Sequence, residues 1–116
     1  MFSKQGKSKR GHWTPEQYEY AQMAMAGGCL ACKLGHGTES EAHHWHHIRE
    51  GFHGIGMRPP HHYGLPLCYA HHLGDKAESI HQNPEGFRKL IGMTEAQAVE
   101  WCWNRFGWGG QHSNTN

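Results

Sequence analysis

The chain has 116 residues, of which 36% are hydrophobic, and a formal net charge of +1 with histidine neutral; its mean hydropathy is −0.83. That length fits one domain with a thin core, so a staple such as a metal is expected to contribute to stability. No apolar run approaches a membrane span and no signal-peptide core follows the basic start, so a cytoplasmic protein with reduced thiols and no membrane partner is expected.

Residues 1–11 read as a basic, mobile arm in which Lys7, Lys9 and Arg10, with Lys4, suit a phosphate backbone. Residues 12–108 read as a single domain and 109–116 as a polar, disordered tail. Thr14-Pro15-Glu16-Gln17 supplies an N-cap, a proline at the first helical position and a capping glutamine, for a helix to about Ala26 that stops at Gly27-Gly28. A knuckle, Cys29-Leu-Ala-Cys32, follows. Residues 41–48 predict a strand, and residues 49–63 a loop rich in Gly, Pro and His. Tyr63–Leu67 predicts a short second strand that Pro66 confines to an edge or an end. A helix of one to three turns is expected to begin near Cys68 and reach roughly Glu78, weakened by Gly74. Asn83-Pro84-Glu85 and Thr94-Glu95-Ala96-Gln97 start two more helices, ending near Gly92 and Phe106. On the last, Val99, Cys102, Trp103 and Phe106 make one apolar face, with Cys102 as a small buried hydrophobe. Trp13, Trp101, Trp103 and Trp108 are expected to give much of the buried area.

Thirteen histidines and four cysteines are a heavy stock of metal ligands. Cys29-x2-Cys32 with Cys68-x2-His71 has the form of a structural zinc site, two ligand pairs each on its own turn. The competing reading, a redox pair at Cys29 and Cys32, calls for a βαβ context that the sequence lacks. The remaining histidines are not a low-complexity sink. They stand at distinct junctions: His43-His44, His46-His47, His61, His72 and His81.

In this arrangement the chain resembles the HNH (His-Me finger, ββα-metal) nucleases. It is most similar to the phage recombination-enhancement, RecA-dependent (Ref-like) nuclease family. The resemblance spans roughly Cys29 to Gly92. It is carried by His46-His47-Ile48, Gly54-Ile-Gly56-Met-Arg58-Pro-Pro-His61, Leu65-Pro66-Leu67-Cys68-x2-His71-His72, Ser79-Ile80-His81, and Phe87 with Gly92. It implies a small α+β domain: a ββα-metal element with a structural zinc knuckle and flanking helices. It implies His47 as general base, and His46, His72 and His81 as ligands of one catalytic divalent ion (Mg2+, Mn2+, Ni2+ or Zn2+). Cys29, Cys32, Cys68 and His71 would hold a separate zinc. His61 falls on a recurring family histidine and suits a phosphate contact or an accessory ligand. The other register, with His44 as base and His43 as ligand, stays open. A phage or prophage origin and a recombinase-coated single strand as partner are likewise what the resemblance suggests.

The chemistry is coherent in its own terms. Cleaving a phosphodiester needs an activated water, stabilised charge on the transition state and help for the leaving oxygen. A neutral imidazole suits the first, and a divalent Lewis acid the other two. Arg58 is a candidate phosphate clamp, against the alternative of a solvated loop charge. The second-strand region lacks the asparagine that many HNH proteins carry, so the base must be oriented by another group, such as a backbone carbonyl. A metal-dependent DNA endonuclease is therefore the expected function. The alternative is a non-catalytic zinc-stabilised DNA-binding module, which has no use for His81 or for a second imidazole beside a ligand.

Overall fold

The computed structural model describes residues 12–49, 59–74 and 76–108. The basic arm with Lys7, Lys9 and Arg10, the loop carrying Arg58, and the 109–116 tail lie outside the described residues.

Helix α1 spans Pro15–Ala26. Gln17 N donates to Thr14 Oγ1 at 3.1 Å and Thr14 N to Gln17 Oε1 at 3.0 Å, which is the capping box the sequence predicts. The helix buries Tyr20, Ala21 and Ala24, and the two alanines let it approach its neighbours closely. The Tyr20 hydroxyl is buried with no hydrogen-bond partner among the described residues, and burial raises its pKa. An unsatisfied buried hydroxyl costs on the order of 1–3 kcal/mol. Tyr20→Phe should therefore raise stability by about 1 kcal/mol in urea unfolding; a loss of that size would mean the hydroxyl is bonded in solution.

Past α1, Gly28 adopts φ +94°, and a Cβ there would stand 2.8 Å from the Ser40 carbonyl oxygen. That carbonyl accepts the Cys29 N–H at 2.8 Å. A glycine is thus required for the chain to turn and present Cys29 inward.

Strands β1 (His44–His47) and β2 (Gly64–Leu67) pair antiparallel, with His44 opposite Leu67 and His47 opposite Gly64. His43 N–H to Leu67 O at 2.8 Å and Ile48 N–H to Tyr63 O at 2.9 Å extend the pairing by one residue at each end. The strands are shorter than the predicted 41–48 and 63–67. Pro66 is tolerated because in a two-stranded sheet each strand is an edge.

The helix expected from Cys68 to Glu78 is replaced by a π-helical turn, Ala70–Gly74. The carbonyls that would carry the helix on are taken by the returning chain. His71 O accepts from Ile80 N at 2.8 Å and His72 O from His81 N at 3.3 Å. Ser79 Oγ also donates to His72 O at 3.0 Å, and Gln82 Nε2 to Leu73 O at 2.7 Å. With glycine at position 74 as well, the helix has neither the propensity nor the free acceptors to continue.

Helix α2 spans Pro84–Ile91, capped by Asn83 and ended by Gly92 in the left-handed region. Helix α3 spans Glu95–Phe106, opened by a Thr94–Gln97 capping box and ended by left-handed Gly107. Arg88 and Glu95 pair at 3.0 Å across the α2–α3 junction. Ala98, Val99 and Cys102 form the buried stripe of α3. Burial pushes the Cys102 thiol up to about 12, in keeping with a small core hydrophobe.

Trp101, Trp103 and Trp108 pack against the core from its rim, as their expected share of the buried area requires. The largest fully buried side chains are Phe87, Leu30, Ile48, Leu65, Leu67 and Val99, while Trp101, Trp103 and Trp108 are half-buried around them. Trp13 is also half-buried. Their indole N–H groups need partners, which favours the rim; Trp103 Nε1 donates to His62 O at 3.0 Å. The architecture is thus mixed, with helices packed around one small antiparallel sheet. Among the described residues no helix is long and apolar enough to cross a membrane.

Candidate metal centres

The two cysteine-containing pairs are built alike. Lys33 N donates to Cys29 O at 3.1 Å and His72 N to Cys68 O at 3.0 Å, so the same helical closure brackets each pair. Each pair also opens onto a π-helical turn, Cys32–His36 or Ala70–Gly74. The four side chains converge and all are buried. His71 Nδ1 lies 3.8 Å from Cys29 Sγ, 3.5 Å from Cys32 Sγ and 3.3 Å from Cys68 Sγ, and the Cys32 and Cys68 sulfurs are 3.9 Å apart. Ligands on a tetrahedral zinc, at bond lengths of about 2.3 Å to sulfur and 2.0–2.1 Å to nitrogen, stand about 3.8 Å apart for S···S and about 3.6 Å for S···N. The group could hold a metal such as zinc with little rearrangement.

Burial, ahead of lesser effects of backbone N–H groups and neighbouring thiols, pushes the Cys29 thiol up to about 12. A thiol with a raised pKa is a poor redox nucleophile, which counts against Cys29 in that role. Metal binding must instead displace thiol protons.

The far side of His71 is also engaged. Its Nε2 lies 3.3 Å from Glu78 Oε1, and the same oxygen lies 3.0 Å from His36 Nε2. Donation from His71 Nε2–H to the carboxylate leaves the lone pair on Nδ1, toward the sulfurs. These three residues also form a ligand-spaced group, but His71 cannot serve both sets through one neutral ring. We assign it to the buried set. Glu78→Ala should weaken metal retention roughly 10- to 100-fold in a chelator competition, and Glu78→Gln less, because the amide oxygen still accepts. Equal retention by wild type and Glu78→Ala would remove Glu78 from the site.

A second convergence is formed by His46, His72 and His81, whose ligand atoms lie within 4.8 Å of one another. His46 Nδ1 is 3.1 Å from His72 Nε2, close to the ~3.3 Å between two nitrogens on a tetrahedral ion. β1 supplies His46, the π-helical turn supplies His72, and the backbone bond from His81 N to His72 O holds His81 beside them. Unlike the cysteine set, this one has three protein ligands, with His46 and His72 half-buried and His81 exposed. Three ligands at an accessible place leave a position open to water or substrate.

Burial first, then the neighbouring His72 and His81, lowers the His46 pKa to about 3; burial, then His81 and His44, lowers that of His72 to about 4. Both rings are neutral at pH 7, as ligands must be. Both take up protons on unfolding below their ordinary value of 6.5. Their contribution to the metal-free fold is therefore complete above that pH and is lost as pH falls toward about 4 and 3. With zinc in the buried set alone, the urea midpoint should accordingly drop on acidification from neutrality; a rise would contradict these environments.

The two histidine pairs of the first strand separate in space. His43 is exposed, and its Nδ1 accepts from Tyr69 N at 3.2 Å. His44 Nδ1 stands 2.9 Å from His72 Nδ1, on the side of that ring away from His46. His47, next along the strand and so on its opposite face, places Nε2 3.1 Å from His61 Nδ1. Sequence patterning missed His36 and Glu78, which meet across 42 positions, and His62, which stacks on Trp108 at 3.9 Å and meets Gln17 Nε2 at 3.3 Å. No local spacing announces any of the three.

Comparison with known proteins finds no matching family model, no matching curated protein and no matching solved structure.

Proposed function

We propose that the chain is a metal-dependent DNA endonuclease of the HNH-like, ββα-metal kind, with the cysteine-containing set as its structural zinc site. The observation that carries this is the open three-imidazole set of His46, His72 and His81, with His47 following His46 on the same short strand. A purely structural metal site has no need of a vacant ligand position or of a further imidazole next to a ligand. His47 takes a proton from the attacking water, as a neutral imidazole can at pH 7. His46, His72 and His81 hold the divalent ion, which as a Lewis acid would stabilise charge on the phosphoryl oxygens and the leaving group. His44 fixes the orientation of His72 through its other ring nitrogen. Backbone contacts dominate such an approach to DNA, so weak sequence preference is expected.

The test is cleavage of supercoiled plasmid and of single-stranded DNA by protein carrying zinc in the cysteine-containing set alone, with Mg2+, Mn2+, Ni2+ or Zn2+ restored to the open set one at a time. Nicking that requires a restored metal supports the assignment. Absence of cleavage under every metal, with a recombinase filament also supplied, and with salt-sensitive DNA binding retained, would replace it with the zinc-stabilised binding module.

A further inference from the structure

His61 is 4% exposed, and its imidazole is gripped from several sides. Its ring lies flat on Trp13, with centroids 4.2 Å apart and planes at 15°. Its backbone carbonyl accepts the Trp45 indole N–H at 2.8 Å. Its Nδ1 faces His47 Nε2 at 3.1 Å. Local sequence sets each of these contacts. Trp13 directly precedes the N-cap Thr14, so the capping box of α1 determines where the indole stands. Trp45 reaches across the sheet only because position 64 is glycine: a Cβ there would lie 2.7 Å from Trp45 Nε1 and 2.8 Å from the His46 carbonyl oxygen.

Between two neutral imidazoles one nitrogen donates and the other accepts. We propose that His61 is the positioning residue for His47. It accepts at Nδ1 a hydrogen bond from His47 Nε2–H, so that the His47 lone pair sits on Nδ1, where water is to be deprotonated. This builds on the assignment of His47 as the base. The opposite polarity would direct the His47 lone pair at His61 and leave an N–H at the other nitrogen, which cannot take a proton. The arrangement supplies the orienting partner that the missing second-strand asparagine would otherwise provide. An imidazole serves because Trp13 and Trp45 hold it by its ring and its backbone, leaving one nitrogen edge to face the base.

The test uses the full-length protein loaded with zinc, as wild type, His61→Phe and His61→Gln. Phenylalanine keeps a flat ring against Trp13 but offers no acceptor; glutamine offers an amide oxygen. Zinc content and melting temperature establish that each variant is folded. Imidazole nitrogen chemical shifts should place the His47 proton on Nε2 in wild type and distribute it over both nitrogens in His61→Phe. In Mn2+-supported DNA cleavage, His61→Phe should lose roughly 10- to 100-fold in kcat with KM unchanged, and His61→Gln should recover part of that loss. Wild-type protonation of His47 at Nδ1, wild-type kcat in His61→Phe, or no recovery in His61→Gln would each overturn the proposal. A wild type with the expected tautomer but no cleavage under any metal would instead overturn the nuclease assignment, leaving the hydrogen bond between the two histidines supported.

Discussion

Replacing Cys68 with alanine will abolish cooperative folding at 37 °C, and a strong chelator will do the same to the wild type. The buried set of Cys29, Cys32, Cys68 and His71 joins the turn after α1 to the turn after β2. Structural zinc contributes on the order of 10–16 kcal/mol in small peptides near neutral pH. A domain of this size is stable by only about 5–15 kcal/mol. Losing one of four ligands leaves two thiols and an imidazole in a dry place without the ion that accounts for them. Circular dichroism melts with parallel zinc quantification decide the matter. A variant that melts within a few degrees of wild type while holding no zinc would show that the apolar core around Phe87 and Leu30 suffices alone.

The second large effect concerns His47 and His72, which should fail in different ways. His47→Ala is expected to lose about 10²- to 10⁴-fold in cleavage rate, the usual contribution of a positioned general base, with metal content unchanged. His72→Ala should lose comparable activity because one of three ligands of the open set is gone, and it should bind one metal equivalent fewer. The pair of measurements, rate and metal stoichiometry, separates base from ligand. If His44→Ala abolishes cleavage while His47→Ala does not, the base belongs to the other histidine pair. Were His47→Ala to lose metal along with activity, His47 would be a ligand and the base would lie elsewhere.

Much of the helical framework could be read from the sequence because its signals are local. Thr14 with Gln17, Asn83 with Pro84, and Thr94 with Gln97 each mark a helix start within four residues, and the structure places caps at all three. The four ligands of the buried set were also legible, since i, i+3 pairs of Cys and His have few other uses. The segment after Cys68 was not. Its carbonyls are claimed by residues 79–82, a return of chain that no helix propensity encodes. The tryptophans were legible as buried area but not as rim residues: size argues for burial, and the indole N–H draws the ring toward a partner at the rim. Glu78 and His36 could not be linked by spacing, because 42 positions separate them.

His71 and His72 are neighbours in sequence, yet the first faces the sulfurs of one set and the second faces the imidazoles of the other. A single peptide unit on a π-helical turn therefore belongs to both ligand sets. If both sets bind metal as proposed, occupying the first would fix the backbone that aims the second, and the two binding equilibria would be a linked pair instead of independent events. By reciprocity, an ion in the open set must tighten the hold on the buried one by the same factor. Titration with metal should then be ordered, the sulfur-rich set filling first. In a cell short of metal, the open set would empty first, leaving a folded chain that keeps its staple and lacks its second ion.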